Sequence, residues 1–206
     1  MCNLYSNLTT QEAMRRVFPE RVEDHLGNLE PQPAIYPNQL APILRHASAG
    51  LALVPARWGL PTPPRYLAGK GYDRGVTNIR NTDSPHWRRW LAPAHRCLVP
   101  FTRFAEPAPG GNVWFAPTDP DAPVFFAGLQ VPGWRSVRKV KDGETVDDLF
   151  AFLTCAPNDV VAPIHPKAMP VILTDPAEWR TWLDAPWAEA RTLQRPLGPG
   201  LLTIAR

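Results

Sequence analysis

Apolar and polar positions along this chain change over in short runs, and the runs predict strands far more often than helices. Leu51–Val54 is an apolar segment leading into Arg57-Trp58-Gly59-Leu60, and Cys97 to Phe101 is another. Leu149 to Cys155 is apolar almost throughout, the pattern of a strand buried on both faces, and Pro170–Leu173 repeats it in miniature. Val113–Ala116 and Val124–Leu129, separated by the turn-rich segment 117–123, predict a β-hairpin. Residues 31–42 read as extended and proline-punctuated, 61–75 as an aperiodic loop, and the charged segment 135–148 as an exposed, mobile loop. Thr9 with Glu12 three positions on predicts a capping box and a helix to about Phe18. Ser84-Pro85 predicts a helix over 85–91, and Asp175-Pro176-Ala177-Glu178 one to about Leu183. A last short helix over 187–193 and a strand at Leu201–Ile204 complete the pattern. Strands dominate and no βαβ alternation appears. The fold class expected is α+β: a single compact domain, 1–206, built on a mostly antiparallel, barrel-like β-sheet with short helices.

Composition sharpens this in two places. Among 206 residues there are 26 prolines and 8 tryptophans, an excess that favours short strands and fixed loops, because proline is confined to strand edges, turns and first helical turns. Hydrophobic residues at 44% and charged residues at 20% are ordinary for a globular chain. No apolar run approaches the roughly 18 residues of a membrane-spanning helix, and the first residues lack the basic-then-apolar order of a secretory signal. Three cysteines, without metal-ligand spacing, point to a reducing compartment and hence a cytoplasmic protein. A net charge of +3 says little alone, but the cations cluster. Arg80, Arg88 and Arg89 accompany Trp87 and Trp90, Arg96 follows, and Trp134, Arg135, Arg138, Lys139 and Lys141 form a second group. Arginine interleaved with tryptophan suits phosphate contact and base stacking, and equally suits a solvated surface over buried indoles.

The position with the most distinctive chemistry is Cys2. Initiator methionine is ordinarily trimmed before a small residue, which leaves a free α-amine and a thiol on adjacent carbons. Their ordinary pKa values, about 7.7–8.0 and about 8.5, put a useful fraction of each near its nucleophilic form at neutral pH. An aldehyde can form an imine with such an amine, and the thiol can then close a five-membered thiazolidine. Three further segments hold polar groups in rigid surroundings: Thr77-Asn78-Ile79-Arg80-Asn81, the strand Arg96–Phe101 continuing to Glu106, and His165 among the prolines of 162–170. Taken singly, each has a structural explanation: an Asx-turn for Asn78, a solvated carboxylate for Glu106, a turn histidine for His165, and inert buried thiols for Cys97 and Cys155. The remaining histidines suggest no metal site.

Taken in order, Met-Cys at the start, Asn78-x-Arg80, Arg96-Cys97-Leu98-Val99-Pro100 followed by Phe104-x-Glu106, and Ile164-His165 followed by Met169-Pro170-Val171-Ile172-Leu173 resemble the SRAP family of abasic-site processing proteins. The resemblance extends to Arg57-Trp58-Gly59-Leu60 and Phe126-Ala127-Gly128-Leu129. It implies a protein of the DNA damage (SOS) response that recognises abasic sites in single-stranded DNA and links covalently to the ring-opened sugar aldehyde through Cys2. The matching positions would make Cys2, Asn78, Glu106 and His165 catalytic: Asn78 orienting the N-terminal residue or the deoxyribose, Glu106 moving protons, His165 assisting sugar-ring opening. Arg80, Trp58 and Arg57 would bind DNA, Arg80 on a phosphate and Trp58 stacked against bases. The expected partner is single-stranded DNA carrying abasic sites, with no membrane, metal or cofactor. The chain would act as a monomer that joins the nucleoid when bound to DNA. Leu4, where relatives commonly carry arginine, and Pro61-Thr62-Pro63, where they commonly carry another aromatic, imply altered DNA contacts. Two other classes remain open: a cysteine peptidase that releases its own Met1, and a non-covalent single-stranded DNA-binding module. A pure binder tolerates Cys2→Ala; a crosslinker does not.

Overall fold

The computed structural model describes residues 2–205; the expected removal of Met1 therefore concerns a residue outside those described. The first part of the chain contains β1 (Tyr5–Asn7), α1 (Gln11–Arg16), β2 (Val22–Asp24), β3 (Gln32–Ile35), β4 (Leu40–Ala47), β5 (Gly50–Trp58) and β6 (Asn78–Ile79). The middle contains α2 (Pro85–Arg88), β7 (Arg96–Pro100), β8 (Arg103–Ala108), β9 (Gly111–Pro117), β10 (Phe125–Lys139) and β11 (Gly143–Cys155). The rest contains β12 (Met169–Pro170), β13 (Ile172–Leu173), α3 (Pro176–Asp184), α4 (Trp187–Ala190) and β14 (Leu202–Ala205).

Strands β5, β4, β7, β10 and β11 pair in that order, all antiparallel. A parallel pairing of β11 back onto β5, at Leu149↔Arg57 and Phe150↔Trp58, closes them into a five-stranded barrel. The expected α+β fold with a mostly antiparallel barrel is what the chain adopts. Proline is accommodated inside it because Pro42 and Pro55 face each other where neither strand is paired on its far side. The outer pairings fall at Leu44–Arg45 of β4 and at Leu51–Leu53 and Arg57–Trp58 of β5. A second sheet, ordered β14-β9-β8-β1-β3, lies against the barrel. The two meet through aromatic rings: Tyr5 of β1 packs edge-on to Trp58, Phe126 and Phe152, and Phe101 stacks on Phe126 with centroids 3.8 Å apart.

Four expectations are corrected. Helix α1 is capped by Thr10, whose hydroxyl accepts from the Ala13 amide, and not by Thr9. The Thr9 amide is already held by Asn7 Oδ1, so the turn out of β1 runs one residue further before the helix begins. The segments around 113–116 and 124–129 do not form a hairpin. β9 lies between β8 and β14 in the second sheet, whereas β10 belongs to the barrel. The segment 135–148 is not a mobile loop: β10 and β11 continue as a paired arm through Trp134↔Asp147, Arg135↔Val146 and Val137↔Glu144, closed by a turn at Val140–Asp142. The helix expected over 85–91 is cut to Pro85–Arg88, because the turn tightens to bury Trp87 and Trp90 three residues apart.

Other assignments stand close to expectation. Asp175 caps α3 by accepting from the Ala177 amide at 2.7 Å, with Pro176 in the first turn. The 187–193 helix appears as α4 extended by a 3₁₀ turn. Among the described residues no helix is long and apolar enough to cross a membrane.

Candidate active site

Two pairings bring the chemistry-bearing residues together. β6 lies parallel to β11, with Asn78 opposite Phe152. β1 is inserted between β3 and β8, and just before it the Leu4 carbonyl accepts from the Ala105 amide at 2.9 Å. Cys2 is thereby laid beside Glu106, the residue after Ala105, and the Asn78 side chain reaches across to donate to the Cys2 carbonyl at 2.8 Å. His165 arrives on a compact turn built on Asn158, whose side chain accepts from the Val161 amide, while the His165 amide donates to the Val161 carbonyl at 2.8 Å. His165 Nε2 stands 4.0 Å from Glu106 Oε2. Cys2, Asn78, Glu106 and His165 thus form one cluster.

The cluster is dry. Glu106 is fully buried and Cys2 is 1% exposed. Burial pushes the Cys2 thiol well above its usual range, and the nearby Glu106 carboxylate pushes it further the same way. Burial also raises the Glu106 carboxyl, with the His165 charge acting against it. A raised carboxyl holds its proton closer to neutral pH, which suits a group that must first give a proton and then take one. His165 Nδ1 lies 2.7 Å from the Ala168 carbonyl and 3.3 Å from the Ala168 amide. Nδ1 is thus taken up by the Ala168 main chain, and Nε2 is the atom turned toward Glu106.

The three expected DNA-binding positions fare differently. Arg80 follows β6 and is exposed. Arg57 is engaged within the protein, with Nε 2.9 Å from Asp147 Oδ1 and Nη1 2.8 Å from the Asn38 carbonyl. Trp58 is fully buried, stacked on Phe150 and Phe152 and met edge-on by Tyr5. It offers no face to a base, because the β5–β11 register turns it inward, and the stacking role expected for it is corrected. Its indole N–H donates to the Thr77 carbonyl at 3.0 Å, so it braces the segment that carries Asn78.

The basic clusters also divide. Arg96 and Arg138 are buried. Arg96 donates to the carbonyls of Leu91, Trp182 and Ala185. Arg138 donates to the Gly59 and Asp73 carbonyls where segments 58–60 and 75–77 cross, so closely that a Cβ on Gly75 would stand 2.5 Å from the guanidinium. Exposed cations gather instead beside a groove of about 400 Å³ lined by Lys70, Tyr72, Arg89 and Trp134, with Arg74 on the adjoining wall. Arg89 lies on its wall, 3.9 Å from the Trp90 ring centroid and 5.8 Å from that of Trp134. Nothing local marks Lys70, Tyr72 and Arg74 in an aperiodic loop; only the fold sets them against Trp134. Another cleft, about 590 Å³ between α1 and 117–125, contains none of the four clustered residues.

Comparison with known proteins is decisive at the level of family. The family described as SOS response associated peptidase (SRAP) matches residues 1–203. The chain belongs to the SRAP family. Its function is accordingly related to the DNA damage response. A crystal structure of a protein from Bordetella bronchiseptica is similar over the full length of both chains, with 25% identity and a TM-score of 0.72. A protein from Bacteroides thetaiotaomicron is 19% identical with a TM-score of 0.73, over all of this SRAP chain and 92% of the other. A phage-related protein from Bordetella bronchiseptica is 21% identical with a TM-score of 0.69, over all of this chain and 94% of the other. These last two share the fold. No curated protein matches the chain.

Proposed function

We propose that this SRAP protein captures abasic sites in single-stranded DNA as a covalent thiazolidine through Cys2, after Met1 is removed, and so shields the lesion from strand cleavage. The observation that carries the reading is the convergence on Cys2: Asn78 holds its carbonyl, Glu106 lies beside its thiol, and His165 stands 4.0 Å from that carboxylate.

The chemistry balances without a cofactor. A proton passes from His165 to the ring oxygen as the furanose opens, and the C1′ hydroxyl proton returns to His165, exposing the C1′ aldehyde and leaving the imidazole as it began. The Cys2 amine adds to C1′ to give a carbinolamine, and the Glu106 carboxyl protonates the departing hydroxyl, which leaves as water. The resulting Glu106 carboxylate takes the thiol proton as sulfur bonds to C1′. The thiazolidine is closed and Glu106 is returned to its starting form. The net change is aldehyde plus aminothiol to thiazolidine plus water. Asn78 anchors the Cys2 main chain so that both nucleophiles face one carbon. An abasic nucleotide has no base to unstack, which lowers the cost of bringing C1′ into a buried site.

Flanking DNA contacts are assigned to exposed Arg80 and to the groove of Lys70, Arg74 and Arg89, with Tyr72 and Trp134 as stacking surfaces. Binding is then salt-sensitive and independent of sequence. The test is a denaturing gel with an oligonucleotide carrying one abasic site. A heat-stable shifted band that disappears with Cys2→Ser, or with an added N-terminal residue, supports the reading. Persistence of the band in Cys2→Ala, or trapping only with borohydride, overturns it.

A further inference from the structure

We infer that Thr77 is a positioning residue for the crosslinking reaction: its hydroxyl sets which end of the Asn78 carboxamide faces the reacting groups. The inference rests on the function proposed above. Asn78 Nδ2 donates both to the Cys2 carbonyl and to Thr77 Oγ1, each at 2.8 Å, so both protons of the amide are directed away from Oδ1. Oδ1 is buried and has no hydrogen-bond partner among the described residues. A buried acceptor left open in this way meets an O–H or N–H donor of the reacting pair at little cost; a rotated amide would present protons there instead.

The hydroxyl is itself fixed from two sides. Thr77 Oγ1 donates to Asn3 Oδ1 at 3.0 Å, and a hydroxyl that spends its only proton on Asn3 can only accept from Asn78. The Thr77 carbonyl is held by the buried indole of Trp58 at 3.0 Å. Cys2, the other partner of the amide, must shift as its amine and sulfur bond to carbon. Thr77 is the partner that stays still.

The experiment measures two quantities for wild type, Thr77→Val, Thr77→Ser and Asn3→Ala. One is the rate of heat-stable adduct formation at saturating abasic oligonucleotide. The other is affinity for an oligonucleotide carrying a tetrahydrofuran analogue, which has no aldehyde. Thr77→Val keeps the shape and removes the hydroxyl. Its rate is expected to fall about five-fold, the scale of one neutral hydrogen bond, with affinity unchanged. Thr77→Ser restores the rate, and Asn3→Ala slows it by about two-fold because one anchor is lost. An undiminished rate in Thr77→Val overturns the inference, as does an equal loss in Thr77→Ser or a fall in affinity that matches the fall in rate. If Thr77→Val does not fold, an undiminished rate in Asn3→Ala overturns it. A wild-type protein that forms no adduct removes the proposed function itself, whereas a reactive wild type matched by Thr77→Val removes only this inference.

Discussion

Arg96 and Glu106 are each fully buried, yet they are housed in opposite ways. Arg96 is surrounded by fixed acceptors, three main-chain carbonyls from two separate segments, with the rings of Trp182 and Trp187 at 5.6 and 5.7 Å. Burial draws its pKa down to about 10, still far above neutrality, so it remains a permanent cation joining α3 to the barrel. Glu106 is surrounded by groups that can themselves exchange protons, the Cys2 thiol and the His165 imidazole, and its own proton is held more tightly than usual. One buried group is set for cohesion and the other, on the proposed function, for transfer. The difference lies in the neighbours, not in depth.

The contrast breaks most readily at Glu106. Glu106→Gln is expected to slow adduct formation by about 10³-fold, the scale of one general acid–base group, without lowering the urea midpoint. If stability falls with the rate, the two residues are not different in kind. Arg96→Met should do the reverse. Three orphaned carbonyls are expected to cost about 3 kcal/mol or more in urea unfolding, while the folded fraction reacts at the wild-type rate. Trp58→Phe is expected to cost about 1–2 kcal/mol and leave affinity for abasic DNA unchanged, since the indole braces Thr77 and meets no base. Lost affinity at preserved stability would put Trp58 back among the DNA contacts.

A smaller effect depends on pH. The Glu106 pKa is raised in the folded state, so the fold favours its protonated form. That contribution is complete below the ordinary glutamate range, about 4.3, and is lost as pH rises through the raised value. Glu106→Gln lacks this loss, so its melting temperature relative to wild type should climb as pH is taken from 4 to 7. A flat difference would show that Glu106 titrates normally. The smallest change is expected from Arg80→Ala, which should reduce the slope of log affinity against log salt by about 0.7.

How much was legible in advance follows the same division. Cys2, Asn78, Glu106 and His165 could be picked out because each carries distinctive chemistry in a motif, and the fold does gather them. Trp58 could not be placed. Beside Arg57 and Gly59 it looks like a surface ring, and only the β5–β11 register turns it inward. The arm of β10 and β11 was hidden by its charges, which sit on strands held mainly by cross-strand pairing, with Arg138 alone of the arm's cations buried. The 113–129 hairpin failed because adjacency in sequence does not decide which sheet a strand joins. Lys70 carries no local mark at all, and Thr77 none beyond opening the 77–81 segment; the distant contacts of each come from the fold.

The insertion of β1 between β3 and β8 has a consequence for the order of events in the cell. Cys2 precedes the side chain that holds its carbonyl by 76 positions, and His165 lies later still. A nascent or unzipped chain carries an ordinary solvent-exposed cysteine, open to any soluble aldehyde. On the proposed function, selectivity for a damaged strand is acquired only once these distant segments are paired, and fidelity becomes a property of complete assembly.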